Sequence, residues 1–253
     1  MSLIGIFVAL GFVLFANIIE GGHPSALLNG PAFLIVLGGT IGAVLVQFPF
    51  RTFGDLLRRL KWLLKPPSYD LFSTASDLEN LATISRREGL LALETELEKY
   101  EEPFLKRSLQ MLIDGMEREA LLDILDSQVE NQKQRTEQIA KIYEAMGGYC
   151  PTMGILGAVL GLIHAMGLLD KPEELGHGIA VAFVATIYGV AFANIVFLPF
   201  GNRYKAFAEE QANYYRMISE GVFCIASGSS QLELQRRLGN YVAHPKFTGE
   251  GEA

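Results

Sequence analysis

Apolar residues along this 253-residue chain are concentrated in four blocks that contain no Lys, Arg, Asp or Glu. Each block is close to the ~20 mostly apolar residues that a helix needs to cross a bilayer. The pattern therefore predicts an all-α integral membrane protein with four transmembrane helices. The first block lacks a basic n-region and a clear cleavage site, so we expect it to be retained rather than removed as a signal peptide. The blocks are residues 2–19, 31–50, 147–169 and 178–200.

The charged stretch between the second and third blocks also has a helical pattern. Its apolar residues recur three or four positions apart, as at Leu78, Leu81 and Ile84, without the alternation of a strand. At its start, the segment FGDLLRRLKWLL separates leucines from bases and is typical of a helix lying at a membrane surface. At its end, a polar helix leads into the third block, so we expect one helix to continue out of the membrane as a stalk.

These patterns divide the chain into four predicted domains. The last domain begins with a long helix that continues past the fourth block. Gly228 to Ser230 are expected to interrupt that helix, and about the last ten residues are expected to lack fixed structure. The predicted domains are residues 1–50 with transmembrane helices one and two, 51–146 with a helical cytoplasmic domain, 147–200 with transmembrane helices three and four, and 201–253 with the C-terminal helix and tail.

Basic residues beside the blocks predict the orientation of the chain, since Lys and Arg near a span are retained on the cytoplasmic side. Arg51, Arg58 and Arg59 follow the second block, and Arg203 and Lys205 follow the fourth. Both flanks are therefore expected to be cytoplasmic. With an even number of spans, the N- and C-termini are expected on that same side.

The charge of the chain argues against nucleic-acid binding. The net charge is −7, and residues 51–146 hold 18 Asp and Glu against 14 Lys and Arg. A nucleic-acid-binding domain needs a basic face instead. The two cysteines, Cys150 and Cys224, lie at the cytoplasmic end of the third block and in the C-terminal helix, and neither is expected to form a disulfide.

Motifs for catalysis or metal binding are absent from the sequence. It contains no G-x-x-x-x-G-K-[ST] phosphate loop, no H-E-x-x-H and no cysteine pair with zinc spacing. We therefore expect no enzyme activity, no cofactor and no metal site. The four blocks also hold no carboxylate in their interior, although proton transport across a membrane usually uses one. If the chain lines an ion path, a second chain must supply that group.

Small residues line one side of the third and fourth blocks at helical spacing. Such stripes either let helices pack closely or line a narrow wet path, and the sequence leaves both interpretations open. The two prolines in or near these stripes, Pro151 and Pro199, either cause a tolerated kink or act as hinges. The threonine of the fourth block, Thr186, is expected to bond back to residue 182 of its own helix. The stripes are Pro151, Gly154, Ala158, Gly161 or Leu162, and Ala165 in the third block, and Ala182, Thr186, Gly189 and Ala193 in the fourth, with Pro199 near its end.

Three segments resemble the MotA/TolQ/ExbB family, in particular its channel-forming subunits of the bacterial flagellar stator. They are GGYCPTMGILGAVLGLIHAMG, GIAVAFVATIYGVAFANIVFLPFGN and SRREGLLALE. The resemblance covers almost the whole chain. TolQ and ExbB look like three-span proteins without the REGLLALE segment, so the match to them is weaker.

The resemblance implies torque generation for motility. Such subunits form a ring, understood as a pentamer around a dimer of a MotB-type single-span partner, and the partner supplies the membrane Asp. Transmembrane helices three and four then line the ion path, and the cytoplasmic domain pushes the rotor protein FliG. The implied location is the bacterial inner membrane, and the expected ion is H+. The alternatives are a sodium-driven PomA-type stator and an energy-transducing subunit of the TolQ or ExbB kind.

The resemblance assigns the rotor contact to two charged residues. Arg86 and Glu94 of SRREGLLALE match the family's charged pair. The apolar GLLAL between them is expected to pack inward while the charges remain in water. Exposed charge pairs contribute only ~0–1 kcal/mol each. This small energy suits a contact that forms and breaks repeatedly.

The resemblance also assigns roles in the ion path. Pro151 and Pro199 match the two prolines of the family, and Thr186 matches the threonine that faces the partner's Asp. Ala158 stands where sodium-type relatives tend to have threonine. A dehydrated cation needs oxygen ligands in place of its water shell. The alanine therefore favours proton coupling.

Overall fold

The computed structural model describes residues 2–170, 172–242 and 244–248. Within those ranges the regular elements are helical and none is a strand, which confirms the predicted all-α class. Short 3-10 turns and two π turns, Leu34–Gly38 and Phe192–Phe197, join some of the helices. The α-helices are α1 (Ser2–Ile19), α2 (Gly30–Phe33), α3 (Gly39–Gln47), α4 (Phe50–Arg59), α5 (Leu71–Glu88), α6 (Leu93–Leu97), α7 (Pro103–Ile113), α8 (Arg118–Met166), α9 (Pro172–Ala191), α10 (Leu198–Ala226), α11 (Gln231–Leu238) and α12 (Pro245–Thr248).

Three helical runs in the described ranges are long and apolar enough to cross a membrane. The first is Gly30–Gln47, in which α2, a π turn and α3 follow one another. The others lie within Arg118–Met166 and Leu175–Ala226. A further apolar helix, Ile4–Ile19, is shorter. All four apolar blocks of the sequence are therefore helical.

Two long helical runs carry the third and fourth blocks. Helix α8 extends over 49 residues with Pro151 inside it, so the polar segment continues into the third block as expected. Helices α9 and α10 are joined through the π turn Phe192–Phe197. Gly228, with φ +62°, lies in the turn that separates α10 from α11, which confirms the predicted interruption.

The chain divides into two compact units by its internal contacts. The first unit is Met1–Pro66 with Thr136–Ala206, and the second is Pro67–Arg135 with Phe207–Ala253. The borders fall inside α8 and α10, so each of these helices contributes to both units. The units are defined by contacts, whereas the predicted domains depend on position relative to a membrane. The domain borders at residues 50, 146 and 200 therefore stay predictions.

The first unit exposes a large amount of apolar surface on α1. Phe7 is 72% exposed, Phe12 71% and Ile19 70%. Contiguous exposed apolar surface is unusual in water-soluble proteins and marks contact with lipid or another protein. The surface of α1 therefore requires a lipid or protein neighbour.

The second unit has a helical core made of residues from distant parts of the chain. Leu78, Leu81, Leu121 and Leu125 are each at most 1% exposed, and the first two belong to the periodic series seen in the sequence. Gly221 of α10 lies against α5, since a Cβ atom at this position would lie 2.6 Å from Cδ1 of Leu78. The glycine thus permits close packing of α10 on α5.

The prediction that the chain's last residues lack fixed structure is wrong for residues 244–248. Phe247 of α12 is only 3% exposed and belongs to the core of the second unit. Lys246 pairs with the buried carboxylate of Glu79 at 2.5 Å, and the ring of His244 lies 4.3 Å from that of Phe72. These contacts offset the entropy of ordering the segment. Residues 249–253 of the predicted tail lie outside the described ranges.

Candidate functional site

Helices α8 and α9 pack through glycines that bring the two backbones together. A Cβ atom at Gly154 would lie 2.9 Å from the carbonyl oxygen of Ala185, and one at Gly161 would lie 2.8 Å from the backbone nitrogen of Ala182. A Cβ atom at Gly189 would lie 2.8 Å from the carbonyl oxygen of Cys150. Real Cβ atoms do not approach so closely, so only glycine permits this contact. We call this contact of α8 with α9 the glycine seam.

The glycine seam uses part of the predicted small-residue stripe of α9. Ala182 and Gly189 are buried, as is Ala193 in the following π turn. Thr186 is exposed, whereas the preceding residue, Ala185, is fully buried. Successive residues of a helix are rotated by about 100°, so Thr186 points away from the face that carries Ala185. The stripe therefore combines packing residues with one threonine that lies outside the seam.

The stripe of α8 divides in the same way. Gly154, Gly161 and Ala165 are buried. Gly157 is buried in the same row, and a Cβ atom added there would lie 2.8 Å from the Cβ atom of Ala185. Ala158 is only half-buried at the edge of this row. Helix packing thus accounts for the glycines, whereas Ala158 and Thr186 remain available to a neighbouring chain.

The Thr186 hydroxyl bonds within its own helix. It donates to the carbonyl oxygen of Ala182 at 3.2 Å, a bond that threonine often makes inside an apolar helix. The oxygen keeps its lone pairs, so it can still accept a proton donated by a group on another chain. A carboxylic acid on a partner would be such a donor.

The two prolines interrupt the backbone bonding of neighbouring helical segments. Pro151 inside α8 cannot donate to the carbonyl of Gly147, and Pro199 at the start of α10 cannot donate to the carbonyl of Ile195. A Cβ atom at Gly147 would lie 2.5 Å from Cδ2 of Leu198, so the segments that carry the prolines touch. Proline and the π turn that precedes Pro199 are both recognised causes of helix bends.

A tyrosine cluster in the first unit joins α4, α8 and α10 beyond the apolar blocks. The hydroxyl of Tyr204 donates to the carbonyl oxygen of Arg59 at 2.7 Å, and its ring stacks on Tyr143 with centroids 5.5 Å apart. The guanidinium of Arg59 donates to the hydroxyl of Thr136. Burial raises the pKa of Tyr143 to about 12 and also raises the pKa of Tyr204, so both phenols stay neutral at physiological pH.

A second tyrosine fixes the connector between α1 and α2. Tyr188 of α9 donates from its hydroxyl to the carbonyl oxygen of Leu27 and accepts from the backbone nitrogen of Asn29 at 3.1 Å. Its ring meets Phe33 edge-on at 6.1 Å. Sequence reasoning did not single out either tyrosine contact. The sequence feature that could have predicted them is a tyrosine within or beside an apolar block. A buried tyrosine hydroxyl usually has a hydrogen-bond partner, so such a residue is expected to bond to a neighbouring segment.

The predicted rotor-contact charges lie at the corner where α5 ends and α6 begins. Arg86 and Glu94 are both exposed. Gly89, with φ +87°, turns the chain between the two helices. The expectation that GLLAL packs inward is only partly correct: Leu93 is buried, but Leu91 is 74% exposed. Because the turn carries Leu91 away from the core, an apolar side chain accompanies the charges on this surface.

Arg86 also has a structural role that the sequence did not indicate. Its guanidinium donates to the carbonyl oxygen of Ser229 at 3.0 Å and to the hydroxyl of Thr83 at 3.4 Å. These bonds attach the end of α5 to the turn after α10. Arg86 therefore combines an exposed charge with a contact that positions the corner.

Comparisons with known families cover most of the chain. Residues 3–87 match the motility protein A N-terminal family, and residues 96–217 match the MotA/TolQ/ExbB proton channel family. Both matched ranges include parts of the site: the first ends just after Arg86, and the second contains the glycine seam, Thr186 and both prolines.

Two similar proteins match nearly the whole chain. Motility protein A of Bacillus subtilis is 36% identical over 262 residues, covering 100% of this chain and 95% of that protein. Motility protein A of Helicobacter pylori is 30% identical over 242 residues, covering 96% and 94%.

Two solved structures have the same fold over nearly their whole length. The structure of C. jejuni MotAB matches with a TM-score of 0.90 at 32% identity and covers 97% of each chain. The flagellar MotAB stator complex from Bacillus subtilis matches with a TM-score of 0.88 at 34% identity and covers 100% of this chain and 99% of that one. The chain therefore belongs to the MotA/TolQ/ExbB proton channel family.

Proposed function

We propose that the chain is a stator subunit of the bacterial flagellar motor and forms a proton path with a MotB-type partner. The observation that carries this function is the position of Thr186. It presents a hydroxyl outside the glycine seam, on a helix without an interior carboxylate. A single-span partner with a membrane Asp supplies the missing proton carrier. The similarity to two MotAB structures supports this pairing.

In the proposed arrangement four segments cross the bacterial inner membrane. They are α1, the run Gly30–Gln47, the apolar part of α8, and α9 with its π turn. The basic residues after the second and fourth segments place both termini in the cytoplasm. The exposed apolar side chains of α1, such as Phe7 and Phe12, support contact with lipid. Residues 51–146 then form the cytoplasmic domain.

The proposed assembly is a ring, with a pentamer around a partner dimer. Segments three and four face inward, so that Thr186 and Ala158 border the ion path. Moving one charge through 100 mV releases about 2.3 kcal/mol, which repeated steps can convert into sustained work. Pro151 and Pro199 allow the two inner segments to bend. The corner with Arg86 and Glu94 delivers the motion to FliG.

We propose H+ rather than Na+ as the ion. A sodium path needs several oxygen ligands to replace the ion's water shell. Ala158 provides a methyl group, so Thr186 is the one of these two positions that offers a side-chain oxygen. A proton needs only one carboxylate and an acceptor. The alternative is a PomA-type sodium stator, and the experiment must distinguish it from a proton-driven stator.

The experiment is to produce the chain with a MotB-type partner in a motile bacterium whose own stators are deleted. Swimming should return, persist when sodium is replaced by potassium, and stop when a protonophore is added. Loss of swimming on sodium replacement alone would identify a sodium stator. A failure to restore swimming, despite a complex that copurifies, would contradict the stator function and favour a TolQ or ExbB type of subunit.

A further inference from the structure

A cavity in the second unit lies between α7, α8 and α10. Its volume is about 420 Å³, and it is open to solvent, since Arg107, Asn131 and Arg135 are exposed. It is not part of the proposed ion path or the rotor-contact corner. The side chains that determine its chemistry are Arg107 from α7, Gln128, Asn131 and Arg135 from α8, and the adjacent rings of Phe104 and Tyr215.

The lining of this cavity is basic, although the segment around it is acidic. Residues 51–146 have 18 acids against 14 bases, yet no carboxylate is among the lining residues. Within the described ranges, neither Arg107 nor Arg135 has an ion pair or a hydrogen bond to another side chain. Lys99, Lys133 and Arg237 of the same unit bind carboxylates, whereas neither cavity arginine does so among the residues described. The two guanidiniums are therefore solvent-exposed charges that line one pocket and have no protein carboxylate as a partner in the described ranges.

The remaining lining residues give the cavity a defined shape. Phe104 is 7% exposed and stacks on Tyr215 with ring centroids 4.4 Å apart. This pair forms a firm apolar wall. Gln128 and Asn131 lie three residues apart on α8, so both amides can share one face of the helix. Their NH₂ groups add neutral hydrogen-bond donors beside the two charges.

We propose that this cavity binds the phosphate group of a small anion. A guanidinium presents N–H donors in a planar fork that matches the oxygens of a phosphate, and two forks can neutralise a dianion. The group can belong to inorganic phosphate or to a nucleoside phosphate. Because Arg107 and Arg135 come from different helices, the bound anion ties α7 to α8.

The test measures binding to the full chain, purified with its partner in mild detergent. Titration calorimetry at low salt uses inorganic phosphate in one series and ADP in another. We expect saturable binding of at least one probe with a Kd below about 1 mM. Arg107→Gln and Arg135→Gln should each weaken it roughly tenfold, because each removes a charge-assisted hydrogen bond. Added salt should also weaken it, since the attraction is electrostatic.

The control variant is Arg236→Gln, which removes an exposed arginine that does not line the cavity. It should leave binding unchanged. Tighter binding of ADP than of phosphate would identify a nucleotide site, and equal binding would show that only the phosphate is recognised. The proposal is overturned if neither probe saturates, if both cavity variants bind like wild type, or if Arg236→Gln weakens binding as much as they do.

Discussion

Thr186 follows Ala185 in α9, and the rotation of about 100° between them takes its side chain out of the glycine seam. Ala185 is fully buried, whereas Thr186 is exposed and donates to a carbonyl of its own helix. Arg86 shows a similar division, because its charge is exposed while its N–H groups bind Ser229 and Thr83. Each residue therefore needs a test that separates a local structural contact from a contact with a partner.

The variants Thr186→Val and Thr186→Ser make this separation. Valine has nearly the shape of threonine without the hydroxyl, and serine keeps the hydroxyl. A hydrogen bond to a charged group contributes about 1.5–3 kcal/mol, so Thr186→Val should lower the ion-driven rotation rate roughly tenfold. Thr186→Ser should rotate at close to the wild-type rate. Tethered-cell rotation measures both, and equal rates for Thr186→Val and wild type would exclude Thr186 from the ion path.

Charge reversal tests the corner of α5 and α6. Arg86→Glu and Glu94→Lys should each impair rotation while the complex still copurifies with its partner. Arg86→Glu should also lower the melting temperature slightly, because it removes the bond to Ser229. Arg86→Lys is the control, since it retains the charge but not the planar fork. Normal swimming of both reversed variants would remove the rotor-contact role.

The close contact of α8 and α9 depends on the absence of side chains along the glycine seam. In water the apolar faces of two helices drive their association, but in lipid close packing of small residues has this role. The seam accordingly brings backbone against backbone at Gly154 and Gly189. Any added methyl group must either separate the helices or distort them.

Gly154→Ala therefore tests the glycine seam, with Gly148→Ala as the matched control on the same helix. The alanine methyl at position 154 would lie 2.9 Å from the oxygen of Ala185, and such overpacking costs about 1–3 kcal/mol. Position 148 has no atom within 4 Å of the added methyl, so alanine there should be neutral or slightly stabilising. Thermal melts of the detergent-purified chain compare the two. Equal melting temperatures would show that the seam can relax without cost.

Helix α12 should stabilise the second unit through its pair with α5. In Lys246→Met the buried carboxylate of Glu79 loses its partner, which costs about 1–3 kcal/mol. The double variant with Glu79→Gln should recover part of this loss, because no charge is then left buried without a partner. Melting temperatures of the two single variants and the double variant give the coupling. Additive effects would show that Lys246 and Glu79 do not interact in solution.

The whole chain leaves surfaces that a single copy cannot cover. Apolar residues are exposed along α1, and Thr186 has no partner outside its own helix in the described ranges. Both features suit a subunit that functions inside a larger membrane assembly. In the proposed function the choice between proton and sodium belongs to that assembly, because the proposed ion-carrying carboxylate is on the partner chain. Replacing the external cation therefore tests the complex rather than any one residue.

Most of the fold follows from the sequence because it depends on local properties. Block length and the three-or-four-residue period predict the helices, and of the periodic residues Leu78 and Leu81 are buried while Ile84 is partly buried. The candidate site is predicted less completely. A stripe read along one helix cannot show that Ala185, rather than Thr186, meets α8, since this choice depends on the face of the other helix.

Block length and charge distribution are thus enough to predict a helical membrane protein, and the lack of an interior carboxylate predicts a partner if the chain lines an ion path. These are properties of segments, and each can be evaluated without knowing its neighbours. The positions of Thr186 beside the glycine seam, of Leu91 in the exposed corner and of Phe247 in the core require the folded chain. Burial is a property of two surfaces in contact, and distant segments come into contact only when the chain folds.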